Sequence, residues 1–136
     1  MPRKSKELGT PEEWLKRAKS NIAIARQSKT EDVYWEDLCF ETQQAAEKAL
    51  KAVLLVKGIP FRFVHDIAEL LTLLEQNNIH FPENMRSAAE LTDYSVEARY
   101  PGPFEPVTEK EFKEALRIAE TAIKWAEVEI QKTKRA

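Results

Sequence analysis

The sequence predicts an all-α protein, an up-and-down antiparallel helical bundle of four long helices plus a shorter fifth helix. Three observations predict it. Apolar residues recur at three-and-four spacing through most of the chain, which is the pattern of helices that bury one face. No strand pattern interrupts them. Glycine occurs only 3 times in 136 residues, a low count that favours regular elements over loops. Short connections between the periodic stretches then favour antiparallel neighbours.

The first helix opens at Thr10-Pro11-Glu12-Glu13. Thr10 caps, Pro11 takes the first helical position, where its missing N–H is not needed, and Glu13 completes a capping box. This helix is predicted to run from Pro11 to about Ser28, with Trp14, Ala18, Ile22 and Ala25 on one stripe, and to break at Lys29-Thr30-Glu31-Asp32. The second begins between Val33 and Glu36 and continues to Lys57. Leu38, Thr42, Ala45, Ala49, Val53 and Val56 follow helical spacing, while Ala46, Leu50 and Leu54 widen the apolar face. A face that wide marks a central helix touching several neighbours. Glu47 and Lys51, in the favoured i,i+4 order, are expected to support its exposed edge. Gly58 supplies a left-handed residue after the helix and Pro60 the stop.

Val64-His65-Asp66 opens a third helix, running to about Gln76 with Ile67, Leu70, Leu71 and Leu74 inward, and Asn77-Asn78 ends it. A fourth starts after Pro82 and carries Met85, Ala88, Ala89 and Leu91 toward Val96. Thr108-Glu109-Lys110-Glu111 is a second capping box and opens the last helix, to about Lys132. Its stripe of Phe112, Ala115, Ala119, Ala122, Ala126 and Ile130 is rich in alanine, so a neighbouring helix approaches closely. Trp35, Ile118 and Trp125 exceed what one core needs, which suggests a dimer face. With no internal repeat, residues 1–136 read as one helical domain.

Composition narrows the function classes. Acids and bases nearly balance at a formal charge of −2, so no overall field draws the chain to nucleic acid. The basic ends, Arg3, Lys4 and Lys6, and Lys132, Lys134 and Arg135, read as solvated termini. Cys39 has no disulfide partner, and with His65 and His80 as the only histidines neither a zinc site nor another metal or cofactor is expected. The longest aliphatic run, Ala52 to Val56, is far too short to span a bilayer, and no apolar segment opens the chain. A cytoplasmic location with no membrane partner is the expectation.

The candidate ligand site lies in Asp93-Tyr94-Ser95-Val96-Glu97-Ala98-Arg99-Tyr100-Pro101-Gly102-Pro103-Phe104. Its prolines fix φ and remove donors, so the segment leaves the helix and is held stiffly. Arg99 is then a phosphate anchor backed by Tyr94 and Tyr100 as stacking surfaces. The alternative has Arg99 paired to Asp93 or another carboxylate, with the tyrosines packing the loop onto the bundle. His65 and Asp66 are secondary candidates: a base with an orienting carboxylate, or a helix start in which Asp66 favours the dipole. Gln43, Gln44, Glu47 and Lys48 line a polar groove or, more simply, a solvated face with internal ion pairs. There is no Gly-rich phosphate loop and no Walker lysine.

Several of these segments together resemble one family. The stretch from Phe40 to Ala52, Phe-Glu-Thr-Gln-Gln-Ala-Ala-Glu-Lys-Ala-Leu-Lys-Ala, is similar to the signature helix of the HEPN domain (higher eukaryotes and prokaryotes nucleotide-binding). Trp14-Leu15-Lys16-Arg17-Ala18 is similar to its first helix. His65-Asp66-Ile67 resembles its His-Asp-Leu third-helix start, and Tyr94 with Ala98-Arg99-Tyr100-Pro101 resembles the Arg-Tyr-Pro form of its later loop. The resemblance implies an all-α bundle, usually a homodimer with its cleft near the two-fold axis. It also implies a small nucleotidyltransferase partner in a toxin–antitoxin pair, and a nucleotide or RNA ligand. Many members are metal-independent ribonucleases that use an Arg followed, after four to six residues, by His. Here Arg99 is followed by Tyr100-Pro101-Gly102-Pro103-Phe104-Glu105-Pro106-Val107, with no histidine. The expectation is therefore a binding protein without the standard catalytic motif. A ribonuclease with a non-standard acid or base, or a purely structural dimerisation module, are the alternatives.

Overall fold

A computed structural model describes residues 9–95 and 105–135 of the chain. These form α1 (Pro11–Ala25), α2 (Trp35–Val56), α3 (Ile67–Gln76), a 3-10 helix (Glu83–Tyr94) and α4 (Glu109–Arg135), with no strand among the described residues. The protein is all-α.

Side chains start the helices where the sequence places caps. Thr10 Oγ1 accepts from Glu13 N–H at 3.1 Å, and Asp66 Oδ1 accepts from Glu69 N–H at 3.3 Å. At α4 the capping box is reciprocal: Thr108 Oγ1 accepts from Glu111 N–H at 3.1 Å while the Glu111 carboxylate accepts from Thr108 N–H at 3.2 Å. Each bond satisfies an amide that the helix itself leaves unpaired.

The ends of α2 and α3 share one device. Gly58 adopts φ +71°, and Ile59 N–H reaches back to Leu54 O at 2.9 Å while Gly58 N–H reaches Leu55 O at 3.1 Å. This is a Schellman closure. Asn78 repeats it at φ 59°, with Ile79 N–H on Leu74 O at 2.9 Å. Asparagine is the residue other than glycine that most readily takes this conformation.

Three elements differ from the sequence expectation, and the last of them, α4, runs on past Lys132 to Arg135. α1 ends at Ala25, short of Ser28, because every residue from 26 to 32 is exposed and nothing apolar remains to hold another turn against the core. The fourth helix is present as a 3-10 helix of 12 residues, long for its kind. Its buried residues are Met85, Ala88 and Leu91. They repeat every third position, and a 3-10 helix stacks i and i+3 on one line.

α2 is the central element, packed against α1, α3, α4 and the 3-10 helix. Alanine makes this closeness available: Ala45, Ala46, Ala49 and Ala52 on α2, and Ala119, Ala122 and Ala126 on α4, have no exposed surface. The three residues that seemed surplus to one core are used within it. Ile118 is buried, Trp35 stacks on Phe112 with centroids 5.2 Å apart, and Trp125 meets Phe81 edge-on and donates its indole N–H to His80 O at 3.2 Å. They give no separate support to a dimer face.

Cys39 is fully buried at the second turn of α2, and desolvation pushes its thiol up to about 12 from an ordinary 9.0, with Glu111 and Glu36 adding repulsion. Between those two values the unfolded thiol has lost its proton and the folded one has kept it. Folding stability therefore declines as pH rises from about 9 toward 12, and denaturant midpoints measured across that window will show the decline, reduced in Cys39→Ala. Filling the α2–α4 seam is expected to be costly as well. Ala119→Leu should lose about 1–3 kcal/mol in urea unfolding, whereas Arg117→Ala, which breaks only an exposed pair with Glu114, should stay within about 0.5 kcal/mol.

Candidate functional site

Along one edge of α2, the side chains of Gln43, Glu47 and Lys51 are buried, at 0%, 2% and 3% exposure. They stand four residues apart and therefore form a row. Gln43 Nε2 donates to Glu47 Oε1 at 2.8 Å, and Lys51 Nζ donates to Glu47 Oε2 at 2.8 Å. Gln44 extends the row by donating to Gln43 Oε1 at 2.8 Å. The expected exposed edge is thus interior, and of the expected solvated face Gln43 and Glu47 are buried while Gln44 and Lys48 keep partial exposure. The reason is that Trp14 of α1 and Phe61 of the α2–α3 connection close over Lys51, with ring centroids 5.7 and 5.8 Å from its ammonium. Burying two charges is costly, and it is sustained here by mutual pairing, further donors to the carboxylate, and the ring faces over the cation.

One further donor to Glu47 comes from outside the row. His65 Nδ1 lies 2.9 Å from Glu47 Oε1. A carboxylate only accepts, so Nδ1 carries a hydrogen, and Nε2 is the nitrogen turned away from Glu47. The imidazole is 61% exposed, and among the described residues no hydrogen bond occupies Nε2. Glu47, and not Asp66, is therefore the carboxylate that orients His65. Asp66 caps α3 instead. Such an imidazole, locked at one nitrogen by a buried carboxylate and open at the other, is the arrangement that accepts or delivers a proton, or binds an anion once protonated.

The remaining sequence candidates take different places. Lys48 is half-buried toward α1. Its ammonium donates to Asn21 Oδ1 at 2.8 Å, Asn21 in turn donates to Glu41 Oε1 at 2.7 Å, and burial lowers the lysine's pKa against the opposing pull of Glu41 and Glu47. Tyr94 is half-buried and packs on the core. Burial pushes its phenol up to about 12, with Cys39, Glu111, Asp93 and Glu90 adding to the effect. Asp93 beside it is exposed. Arg99 and Tyr100 lie outside the described residues. One bond links the end of the 3-10 helix to the His65 region: Thr92 Oγ1 accepts from Ile67 N–H at 3.1 Å, two residues after His65.

The α2–α3 connection carries residues that sequence reading passed over. Val64 N–H donates to Arg62 O at 3.0 Å, a three-residue turn with Phe63 at its apex. Phe63 is 70% exposed and meets Phe61 edge-on at 6.2 Å, and Phe61 meets Trp14 edge-on at 6.3 Å. Arg62 pairs with Glu69. The signal was available in the run Phe61-Arg62-Phe63-Val64-His65, where aromatic and basic residues interleave directly after Pro60. Among the described residues, no cluster of three or more His, Cys, Asp or Glu could hold a metal ion, and no helix is long and apolar enough to cross a membrane.

With this geometry in place, comparison with known proteins decides the family. The HEPN domain model matches residues 11–130. The chain belongs to the HEPN domain family. Two solved structures are similar to this HEPN chain. TT1696 from Thermus thermophilus is 32% identical with a TM-score of 0.75, the match covering 88% of this chain and 97% of that one. ST0689, an archaeal HEPN homologue, is 31% identical with a TM-score of 0.72, covering 90% and 99%. No curated protein matches significantly. The HEPN domain is a helical fold associated with nucleotide and RNA binding.

Charge burial in this HEPN protein makes a sharp contrast between neighbours. Lys51→Ala leaves the Glu47 carboxylate without its cation and should destabilise the fold by about 3–5 kcal/mol. His65→Ala removes an exposed partner and should lose about 1 kcal/mol or less. Urea unfolding of the two variants, with α-helical ellipticity as the signal, measures both.

Proposed function

We propose that this HEPN protein is a nucleotide- or RNA-binding protein acting in a two-gene, toxin–antitoxin-like pair with a small nucleotidyltransferase, as a cytoplasmic homodimer. The observation that carries the ligand reading is the oriented, exposed imidazole of His65, whose partner carboxylate is buried at Glu47. Phosphate is the ligand group such an imidazole suits, and Arg99 in the Arg-Tyr-Pro segment supplies a permanent cation for it. Tyr94, packed on the core, and the exposed Asp93 precede that segment. The Arg-x4-6-His spacing of the family's ribonucleases is missing after Arg99, which favours binding over the usual catalysis. Arg99→Ala and His65→Ala should each weaken binding of a labelled RNA oligonucleotide at least fivefold in fluorescence anisotropy, and together should abolish it. Unchanged affinity in both single variants would sink the site assignment.

A second reading is favoured by the same Glu47–His65 contact. In a metal-independent ribonuclease reaction, His65 Nε2 takes the proton of an RNA 2′-hydroxyl as its oxygen bonds to the adjacent phosphorus. The P–O5′ bond then breaks, and the 5′ oxygen takes a proton from water. The products are a 2′,3′-cyclic phosphate and a free 5′-hydroxyl. Gel analysis of RNA incubated with wild type, His65→Ala and Arg99→Ala tests this. Loss of cleavage in His65→Ala alone or in both variants supports it, and an uncut substrate with purified wild type removes it.

A further inference from the structure

We propose that Phe63 and His65 form a subsite for one unpaired nucleotide, with the base stacked on the Phe63 ring and the sugar–phosphate at His65 Nε2. The inference rests on the nucleotide-binding reading above and specifies its ligand class as single-stranded. Three observations support the geometry. The turn closed by Val64 N–H on Arg62 O puts Phe63 at its apex, where the ring is 70% exposed. Phe61 meets that ring edge-on at 6.2 Å, and is itself held edge-on to Trp14 and over the buried Lys51 ammonium. The platform is therefore braced from below. Two residues further on, the Glu47 carboxylate fixes the imidazole through Nδ1, so that its only open nitrogen is the outer one.

The surroundings of Phe63 select the occupant. A protein-docking site of this kind would present a contiguous apolar patch, but the neighbours Arg62, His65 and Asp66 are exposed and polar. A single projecting ring followed two residues on by an exposed imidazole instead matches the way proteins hold single-stranded nucleic acid, by base stacking together with contacts to the backbone. Of the two carboxylates close by, Glu69 is paired with Arg62, and Asp66 is turned to the N-terminus of α3, where it caps the Glu69 amide. Duplex RNA keeps its bases stacked inside and offers this ring nothing.

The test is anisotropy titration of two probes, a labelled six-nucleotide single-stranded RNA and a blunt duplex of the same sequence. Wild type, Phe63→Leu, Phe63→Trp and His65→Gln are compared, each first shown to be folded by circular dichroism. Phe63→Leu is expected to weaken single-strand binding roughly tenfold or more while Phe63→Trp retains it, and duplex binding should be weak and unchanged by either. His65→Gln should weaken single-strand binding without altering the Phe63→Trp rescue. Single-strand binding that is unchanged by Phe63→Leu, or a duplex bound as tightly as the single strand, overturns the subsite and leaves the general binding reading intact. Wild type that binds neither probe overturns both.

Discussion

The carboxylate of Glu47 is the group on which this structure turns. It sits inside the protein at 2% exposure and is satisfied from three directions, by Gln43, Lys51 and His65. A buried ion pair adds little to stability compared with apolar residues of the same size. What it does here is fix positions. Lys51 is held beneath Trp14 and Phe61, which fastens α1 and the α2–α3 connection to α2. His65 is held in one orientation at the start of α3. A hydrophobic row in the same place would pack these elements without choosing the direction of a single polar atom.

This arrangement depends on α2 being enclosed. Its alanines let α1 and α4 come close on the apolar faces, and the same closeness removes water from the polar edge. Hydrogen bonds within that edge gain strength from the low local dielectric, and for the same reason each of its atoms must find a partner. No buried side-chain nitrogen or oxygen among the described residues lacks one. The exposed imidazole at the margin is where this interior network meets solvent, next to the turn that projects Phe63.

Much of the fold was legible because helices are local. Thr10, Asp66 and Thr108 announce helix starts through bonds to amides three residues on, and Gly58 and Asn78 announce ends through a backbone conformation few other residues take. These signals are written within one turn of chain. The 3-10 character of Glu83–Tyr94 was less legible, since Met85, Ala88 and Leu91 fit an α-helical stripe almost as well as a three-residue one. The site was legible only in part. His65 stood out by its chemistry and Asp66 read correctly as a helix start, but the carboxylate that orients His65 could not be read, because it is 18 residues away. Phe61 and Phe63 went unremarked because their exposure and bracing come from the turn and from Trp14.

The sequence by itself determined the all-α class, the order and most limits of the helices, the central role of α2 and the HEPN resemblance, all of which follow from periodicity, caps and local motifs. The tertiary structure decided which polar residues are interior. Glu47 and Lys51 have the spacing of a surface ion pair, and nothing in that spacing tells whether water or Trp14 and Phe61 will lie above it. Burial is a property of what other segments bring, and it converted a pair worth a few tenths of a kcal/mol on an open helix into the anchor of His65.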